Sequence, residues 1–337
     1  MMNSDKSLYP LKFAPILKDR IWGGDRLNTV LGKHATTNRC GESWELSGVS
    51  GDISVVENGF LKSNNLQELI EVYMGDLVGD SVYERFGLEF PILIKFIDAR
   101  DDLSIQVHPD DKLAAERHNS YGKTEMWYVL EAAKDSELIV GFNRKTDSKT
   151  YMDALNSGTL KDILNVEKVS CGDVFFIPAG RVHAIGKDIL IAEIQQTSDV
   201  TYRIYDWGRT DEQGKPRELH TELALDAIDY GMQNEYKTAY RKPSQGTEEL
   251  AKCPYFTTNM VGFNRALEKD YQNSDSFVIH ICTSGAYTIS WGSADSVEVR
   301  KGETVLIPAV LKDIRLNSSE PAEFLEVYID QTCAAEK

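Results

Sequence analysis

Gly172-Asp173-Val174-Phe175-Phe176-Ile177-Pro178-Ala179-Gly180-Arg181-Val182-His183 reads as a short apolar strand held between two turns. Gly172 permits the turn into the strand, and Pro178 with Gly180 shapes a tight turn out of it. His183 follows that turn and can swing back toward the strand's end. A weak echo returns as Gly302-Glu303-Thr304-Val305-Leu306-Ile307-Pro308, and each copy is preceded by a short strand. Two strand-rich halves with one shared pattern point to two related β-barrels of jelly-roll type.

The rest of the chain agrees with a mainly β fold carrying a few short helices. Ile92–Ile97, Ser104–Val107, Met126–Leu130, Leu138–Gly141 and Ile189–Gln195 are short, rich in β-branched or aromatic residues and bounded by Gly, Pro or Asp. So are Ser276–Cys282, Ala286–Trp291, Val297–Arg300, Thr304–Pro308 and Glu323–Tyr328 in the second half. Helical spacing is confined to Leu66–Tyr73, Asp110–His118, Glu222–Tyr230 and Thr146–Leu164, the last broken at Asn156-Ser157-Gly158. Polarity rises between Gln233 and Glu249, which predicts a linker between a unit over 1–240 and a second over 250–330. No Gly-rich loop leads from a strand into a helix, so dinucleotide- and P-loop-type nucleotide sites are excluded.

Composition narrows the function. The 337 residues include 42% hydrophobic residues, enough for a substantial core, and carry a formal net charge of -16. That balance argues against nucleic acid or an anionic membrane as the partner, but leaves room for a small anionic substrate met by a few converging cations. Cysteines at 40, 171, 253, 282 and 333 are odd in number and form no CxxC pair, which fits free thiols in a reducing compartment. The N-terminus has no apolar stretch of signal-peptide length, and no apolar run is long enough to span a bilayer, so the expectation is a cytoplasmic protein. Nothing in the pattern specifies an oligomeric state.

Four segments carry the chemistry. In Leu103-Ser104-Ile105-Gln106-Val107-His108-Pro109, strand alternation puts Ser104, Gln106 and His108 on one face, and Pro109 ends the strand with the imidazole near a rim. In Lys123-Thr124-Glu125-Met126-Trp127, a charged pair enters an apolar strand, which is unusual unless the charges are paired or bound to metal. His183 closes the third segment. In the fourth, Asp199, Thr201 and Arg203 alternate onto one face if the stretch is a strand, and Arg203 suits a phosphate or an enediolate. Each segment alone has a plainer reading: a structural histidine, a salt-bridged strand start, a surface Arg–Asp pair. Together Gln106, His108, Glu125 and His183 make a mixed N/O set. Two His and one Glu suffice for one zinc ion with an open position, and sulfur-free ligands would also accept Mn, Fe, Co or Ni.

The strand–turn–His spacing at 172–183 matches the second motif of the cupins. The chain as a whole resembles the type I mannose-6-phosphate isomerases, in the short bacterial form. The resemblance rests on Ile21-Trp22-Gly23-Gly24, Gly41-Glu42-Ser43-Trp44-Glu45-Leu46-Ser47, Leu103–Pro109, Gly122–Glu125, Pro178–His183 and Gln195–Arg203. It spans the first two-thirds of the chain, and longer members carry Pro where Thr124 stands. It implies a cupin fold, metal binding by Gln106, His108, Glu125 and His183, and Arg203 as the active-site arginine. It also places Lys95, Ser104, Lys123 and Asp199 where such enzymes carry active-site residues. The implied substrate is a sugar phosphate, with Lys123 as the proton-transferring base, its pKa lowered, and Glu125 a weaker alternative. A metal-dependent cupin oxygenase and a non-catalytic sugar-binding cupin are the rival readings. The second unit is expected to lack a metal. Ala309-Val310-Leu311-Lys312-Asp313 replaces the turn glycine and the histidine, and His280 stands alone in mid-strand.

Overall fold

The computed structural model describes residues 7–210 and 214–330, so Cys333 lies outside the described residues. The strands of the first part are β1 (Leu11–Lys12), β2 (Ile16–Gly24), β3 (Cys40–Leu46), β4 (Ile92–Ala99), β5 (Ile105–Val107), β6 (Glu125–Ala132) and β7 (Glu137–Phe142). They continue with β8 (Leu164–Lys168), β9 (Val174–Ile177), β10 (His183–Ile185), β11 (Ile189–Gln196) and β12 (Tyr202–Tyr205). The second part holds β13 (Gly246–Lys252), β14 (Thr257–Phe263), β15 (Leu267–Asp270), β16 (Val278–Ser284) and β17 (Ala286–Trp291). It ends with β18 (Asp295–Arg300), β19 (Thr304–Ile307), β20 (Asp313–Asn317) and β21 (Ala322–Tyr328). The helices are α1 (Arg26–Thr29), α2 (Leu66–Val78), α3 (Asp80–Phe86), α4 (Asp111–His118), α5 (Ser148–Asn156) and α6 (Thr221–Ala227), with a 3-10 turn over Leu160–Ile163.

Four antiparallel sheets stack in layers. The outermost is β12-β5-β10-β7-β8, which faces β2-β3-β4-β11-β6-β9. The other six-stranded sheet, β1-β19-β16-β21-β14-β13, faces β15-β20-β17-β18. Strand alternation explains the stacking. On β11, Ile189 and Ile191 join Trp127 and Val129 of β6, Ile97 of β4 and Leu138 and Val140 of β7 in one core between the first two sheets. The intervening Leu190, Ala192 and Ile194 point the other way. They pack with Ile279, Ile281, Leu306, Leu325 and Val327 of the neighbouring six-stranded sheet, and Leu66, Leu69, Leu77 and Val82 of α2 and α3 join the same core. A strand buried on both faces loses the in–out polarity pattern and reads as a continuous apolar run. Residues of α5, the 3-10 turn and α6 cover the outer face of the first sheet.

The sequence echo has a topological meaning. The order β3-β4-β11-β6-β9 in one central sheet is repeated as β13-β14-β21-β16-β19 in the other. The partner sheets repeat as β5-β10-β7-β8 and β15-β20-β17-β18. The mainly β cupin architecture expected from the sequence is therefore found in two copies, each a pair of facing sheets rather than one strand ladder closed on itself. The N-terminal β1 crosses between them, pairing Leu11 with Leu306.

Local expectations hold with two adjustments. Asp110 caps α4 by accepting from Leu113 N at 2.8 Å, as an acid at that position should. The break in the 146–164 region falls at Gly158, with φ +73. α6 stops at Ala227, three residues short of the expected Tyr230, because Ile228 turns extended. The predicted linker is packed rather than loose over much of its length: Tyr236 Oη donates to Phe142 O (3.0 Å) and Tyr240 Oη to Gly172 O (2.7 Å). Among the described residues Cys40, Cys171 and Cys282 are free thiols. Among the described residues no helix is long and apolar enough to cross a membrane.

The two copies are also tied by a cap. Asp275, from the second copy, accepts from Asp80 N (2.8 Å) and Ser81 N (3.0 Å) at the start of α3. Asp275→Ala should cost about 1 kcal/mol, read as a lower urea midpoint with an unchanged m-value. A midpoint identical to the parent's would show that the cap contributes nothing.

His280 is buried against Phe324 and bracketed by Tyr271 Oη (3.2 Å) and Tyr287 Oη (3.3 Å), with Glu326 beside it across the ladder. Burial, against the pull of Glu326, lowers its pKa from 6.5 to about 3. Between those values the unfolded chain takes up a proton here that the folded chain refuses. The stability this residue contributes is therefore present above about pH 6.5 and lost as pH falls toward 3. The urea midpoint of the parent should fall more steeply than that of His280→Asn between about pH 6.5 and about pH 4.5. Equal slopes would mean that His280 is protonated in the folded protein.

Candidate active site

The core between the first two sheets changes character along its length. At one end it is Ile, Val, Leu and Trp; at the other, the same strand faces carry charge. Register places His183 of β10 beside Gln106 of β5, and Gln106 beside Arg203 of β12, in one row across the sheet. On the facing sheet Glu125 of β6 lies beside Gln195 of β11. The next row on that sheet runs Trp127, Glu193, Lys95, Trp44.

Two backbone features hold the histidines. β5 ends at Val107 with His108 and Pro109 just beyond it, and the turn at Gly180 (φ +87) returns the chain so that Gly180 N donates to His108 O at 2.9 Å. His108 Nδ1 lies 2.9 Å from Val200 O and His183 Nδ1 lies 2.8 Å from Arg181 O. A carbonyl can only accept, so both Nδ1 atoms carry hydrogen and both Nε2 lone pairs are left for the site. Nε2 of His183 is 3.4 Å from Glu125 Oε1, and Nε2 of His108 is 3.6 Å from Glu125 Oε2. Both rings are fully buried. Burial first, and then Lys123 nearby, holds His108 well below the usual histidine range, while burial takes His183 to about 3. They are neutral, which is the ligand form.

The fit to a metal ion can be judged from the donors. One atom each of His108, Glu125 and His183 lies within 4.8 Å of the others. Glu125 Oε1 is fully buried and has no hydrogen-bond partner, an expensive state for a carboxylate oxygen unless a cation takes it. The Gln106 amide stands 3.2 Å from His183 Nε2, so a half-turn of that amide would bring its oxygen to the same place. Two imidazoles, a carboxylate and an amide oxygen are a donor set that a divalent ion accepts.

Lys123 lies inside the cluster, paired with Glu125 and 3.2 Å from His108 Nε2. Its pKa departs from the expectation of a lowered value. Burial pulls it down, but the carboxylates of Glu125 and Glu193 outweigh that and hold the ammonium above the ordinary lysine range. Lys95 donates to Gln195 Oε1 (2.7 Å) and Glu193 Oε1 (3.1 Å). Glu193 was not singled out from the sequence. It accepts from Trp127 Nε1 at 3.0 Å and is held ionised, because Lys123 and Lys95 overcome the burial that would raise it. Its signal was one acid inside the apolar run Ile189-Leu190-Ile191-Ala192-Glu193-Ile194, on the face shared with Gln195.

The other expected residues are placed less uniformly. Ser104 is buried immediately before β5. Arg203 lies on the interior face of β12, with Nε buried and unpartnered. Asp199 departs from the expected strand alternation. It sits in the irregular segment before β12, exposed, on the wall of a cavity of about 890 Å³ shared with His118 and Tyr121. No hydrogen bond or ion pair joins it to the cluster; what this segment gives the cluster is the carbonyl of Val200.

Known proteins resemble this chain in sequence and fold. Residues 11–155 match the family model of the phosphomannose isomerase type I catalytic domain. The chain is 36% identical to the mannose-6-phosphate isomerase ManA of Bacillus subtilis over 314 residues, covering 91% of this chain and 95% of that protein. It is 35% identical to the mannose-6-phosphate isomerase of Streptococcus mutans over 309 residues, covering 90% and 93%. A crystal structure of the mannose 6-phosphate isomerase from Bacillus subtilis superposes with a TM-score of 0.85 at 30% identity, over 95% of this chain and 99% of that one. With the family resemblance thus borne out along nearly the whole chain, this protein belongs to the type I mannose-6-phosphate isomerases.

Proposed function

We propose that the chain interconverts mannose 6-phosphate and fructose 6-phosphate, and that His108, Glu125, His183 and Gln106 hold one divalent ion, zinc by preference. The observation that carries this reading is the unpartnered, fully buried Glu125 Oε1 between two neutral histidines, with lysines and an arginine on the same interior faces. A divalent ion bound there supplies Lewis-acid polarisation of the substrate oxygens. The reaction moves a proton from C2 to C1 through a cis-enediol, with the hydroxyl proton passing between O2 and O1.

The chain's own residues then divide the work. Lys123 Nζ takes the carbon-bound proton and returns it, from a position fixed by Glu125 and His108. A divalent ion on Glu125 would offset one of the two carboxylates that hold the ammonium protonated, and its own positive charge would favour the neutral amine that a base requires. Lys95, held by Glu193 and Gln195, offers its ammonium to substrate oxygens, and Ser104 assists from the start of β5. Arg203 receives the phosphate or the enediolate with its planar fork. Asp199 lines the neighbouring cavity and meets the part of the substrate that extends there. Apolar walls at the closed end of the core limit water around the developing charge, where fixed dipoles and charges act most strongly.

The second copy is proposed to work as a packing partner without a metal. At the offset of His183 after Pro178 it has Asp313 after Pro308, and at the register position of Glu125 it has Val278, two residues before His280 as Glu125 is two before Trp127.

The direct test is to add fructose 6-phosphate to metal-loaded protein and follow mannose 6-phosphate; no product would refute the reading. With that assay, Lys123→Met should lose turnover by about 10²-fold or more across the pH–rate profile, whereas near-normal turnover would remove Lys123 from the proton path. His183→Ala should lose both metal and activity while keeping its fold by circular dichroism. The parent should bind close to one equivalent of metal. A metal-loaded, active His183→Ala protein, or two equivalents with one lost in His280→Ala, would overturn the assignment.

A further inference from the structure

Beyond the cluster, the cationic end of the site has its own architecture. Three arginines, Arg203, Arg209 and Arg217, gather around one carboxylate, Asp206, which is buried just past the end of β12. Asp206 is fully taken by two of them. Arg217 Nε donates to Oδ2 at 2.6 Å and Arg209 Nε to Oδ1 at 3.2 Å, and both guanidinium ends return to Oδ1. Arg203 feels that charge at a distance, but among the described residues it makes no hydrogen bond or close ion pair with a carboxylate.

Arg203 is instead aimed by backbone. Its own N donates to His220 Nδ1 at 3.1 Å, and His220 N donates back to Arg203 O at 2.8 Å. At the far end Arg203 Nη1 donates to Glu218 O at 3.0 Å. The segment 217–220 therefore clasps Arg203 at both ends, and Arg217 anchors that segment to Asp206. One guanidinium edge is spent on Glu218, while Nε is buried with nothing to bind. The free edge containing Nε is the one that meets two oxygens of a phosphate or carboxylate side by side.

We propose that Asp206 is a positioning residue for the anion subsite: it occupies Arg209 and Arg217, pins the 217–220 segment, and so leaves Arg203 aimed and unpaired for the substrate's anionic group. The physical logic is competition. A carboxylate within reach of Arg203 would fill its fork and compete with every incoming phosphate. An Asp206 already satisfied by two other arginines cannot do so. The inference rests on the isomerase reading only for the identity of the anion as a sugar phosphate.

The test separates the two ideas. Metal-loaded parent, Asp206→Asn and Arg217→Gln are titrated with inorganic phosphate by calorimetry, with Arg203→Lys as reference, and their metal content is measured alongside. Asp206→Asn and Arg217→Gln should each bind phosphate at least tenfold more weakly than the parent, approaching Arg203→Lys, with metal content unchanged. In turnover the loss should appear in KM more than in kcat. Arg217→Gln keeps the Asp206–Arg209 pair, so it reports even if Asp206→Asn fails to fold. The proposal is overturned if the parent does not bind phosphate, if both variants bind within twofold of the parent, or if metal content falls with phosphate affinity, which marks a merely structural role. A parent that binds phosphate but does not isomerise fructose 6-phosphate would refute the isomerase reading and leave the positioning role standing.

Discussion

The sheet β2-β3-β4-β11-β6-β9 is covered on both faces, and most of what is distinctive about this protein follows from that burial. One face lies against the second copy and the α2–α3 segment and is mostly apolar there, with Ile92, Ile94, Phe96, Met126, Tyr128 and Ile194 in the shared core. The other face cannot reach bulk water either, yet it carries Lys95, Glu125, Glu193 and Gln195. Ionised groups taken out of water are tolerated only when paired and hydrogen-bonded. The polar end of the core is accordingly a closed network: Lys95 to Glu193 and Gln195, Trp127 to Glu193, Gln195 to the Ser198 carbonyl. Glu125 is the member left with a buried oxygen facing nothing, and the two histidine Nε2 atoms converge on that gap.

Duplication lets one sequence furnish the same frame with two different sets of buried polar groups. At the register positions of Lys95, Glu193 and Trp127, the second copy has Asn259, Glu326 and His280. Glu326 there accepts from Asn259, Tyr271 and Lys269, so its row is satisfied from within. The same buried acid in the same place serves one copy as part of a reactive cluster and the other as a structural tie, because the groups across the ladder differ. Repeating a stable two-sheet frame also supplies the cover that the central sheet needs, with Phe90 and Phe277 meeting at 4.7 Å between the copies.

The chain by itself determined a good deal. The Gly–strand–Pro pattern and its echo indicated two related β units, because a turn residue and a strand's β-branched run are local properties. Period-two alternation put Gln106 and His108 on one face for the same reason. The residue types of Gln106, His108, Glu125 and His183, each in its own short motif, pointed to a ligand set. Arg203 stood out through its residue type and its motif. Each of these readings needs only neighbours within a few positions.

What tertiary structure decided are the relations between distant faces. The direction of the Lys123 pKa shift is a contest between burial and two carboxylates, first Glu125 and then Glu193, which is seventy positions away in sequence and 4.0 Å away in space. Glu193 in turn is held low by Lys123 and then by Lys95 and Trp127 across the ladder. Strand alternation points to the Asp199 side chain, but the segment's contact with His108 is the Val200 carbonyl, which no residue identity announces. Among the described residues Arg203 is left without a close carboxylate partner, while Asp206 is engaged by Arg209 and Arg217. Charge pairing is a sum over everything within a few ångströms in a low-dielectric interior, and the chain order does not say which groups those are.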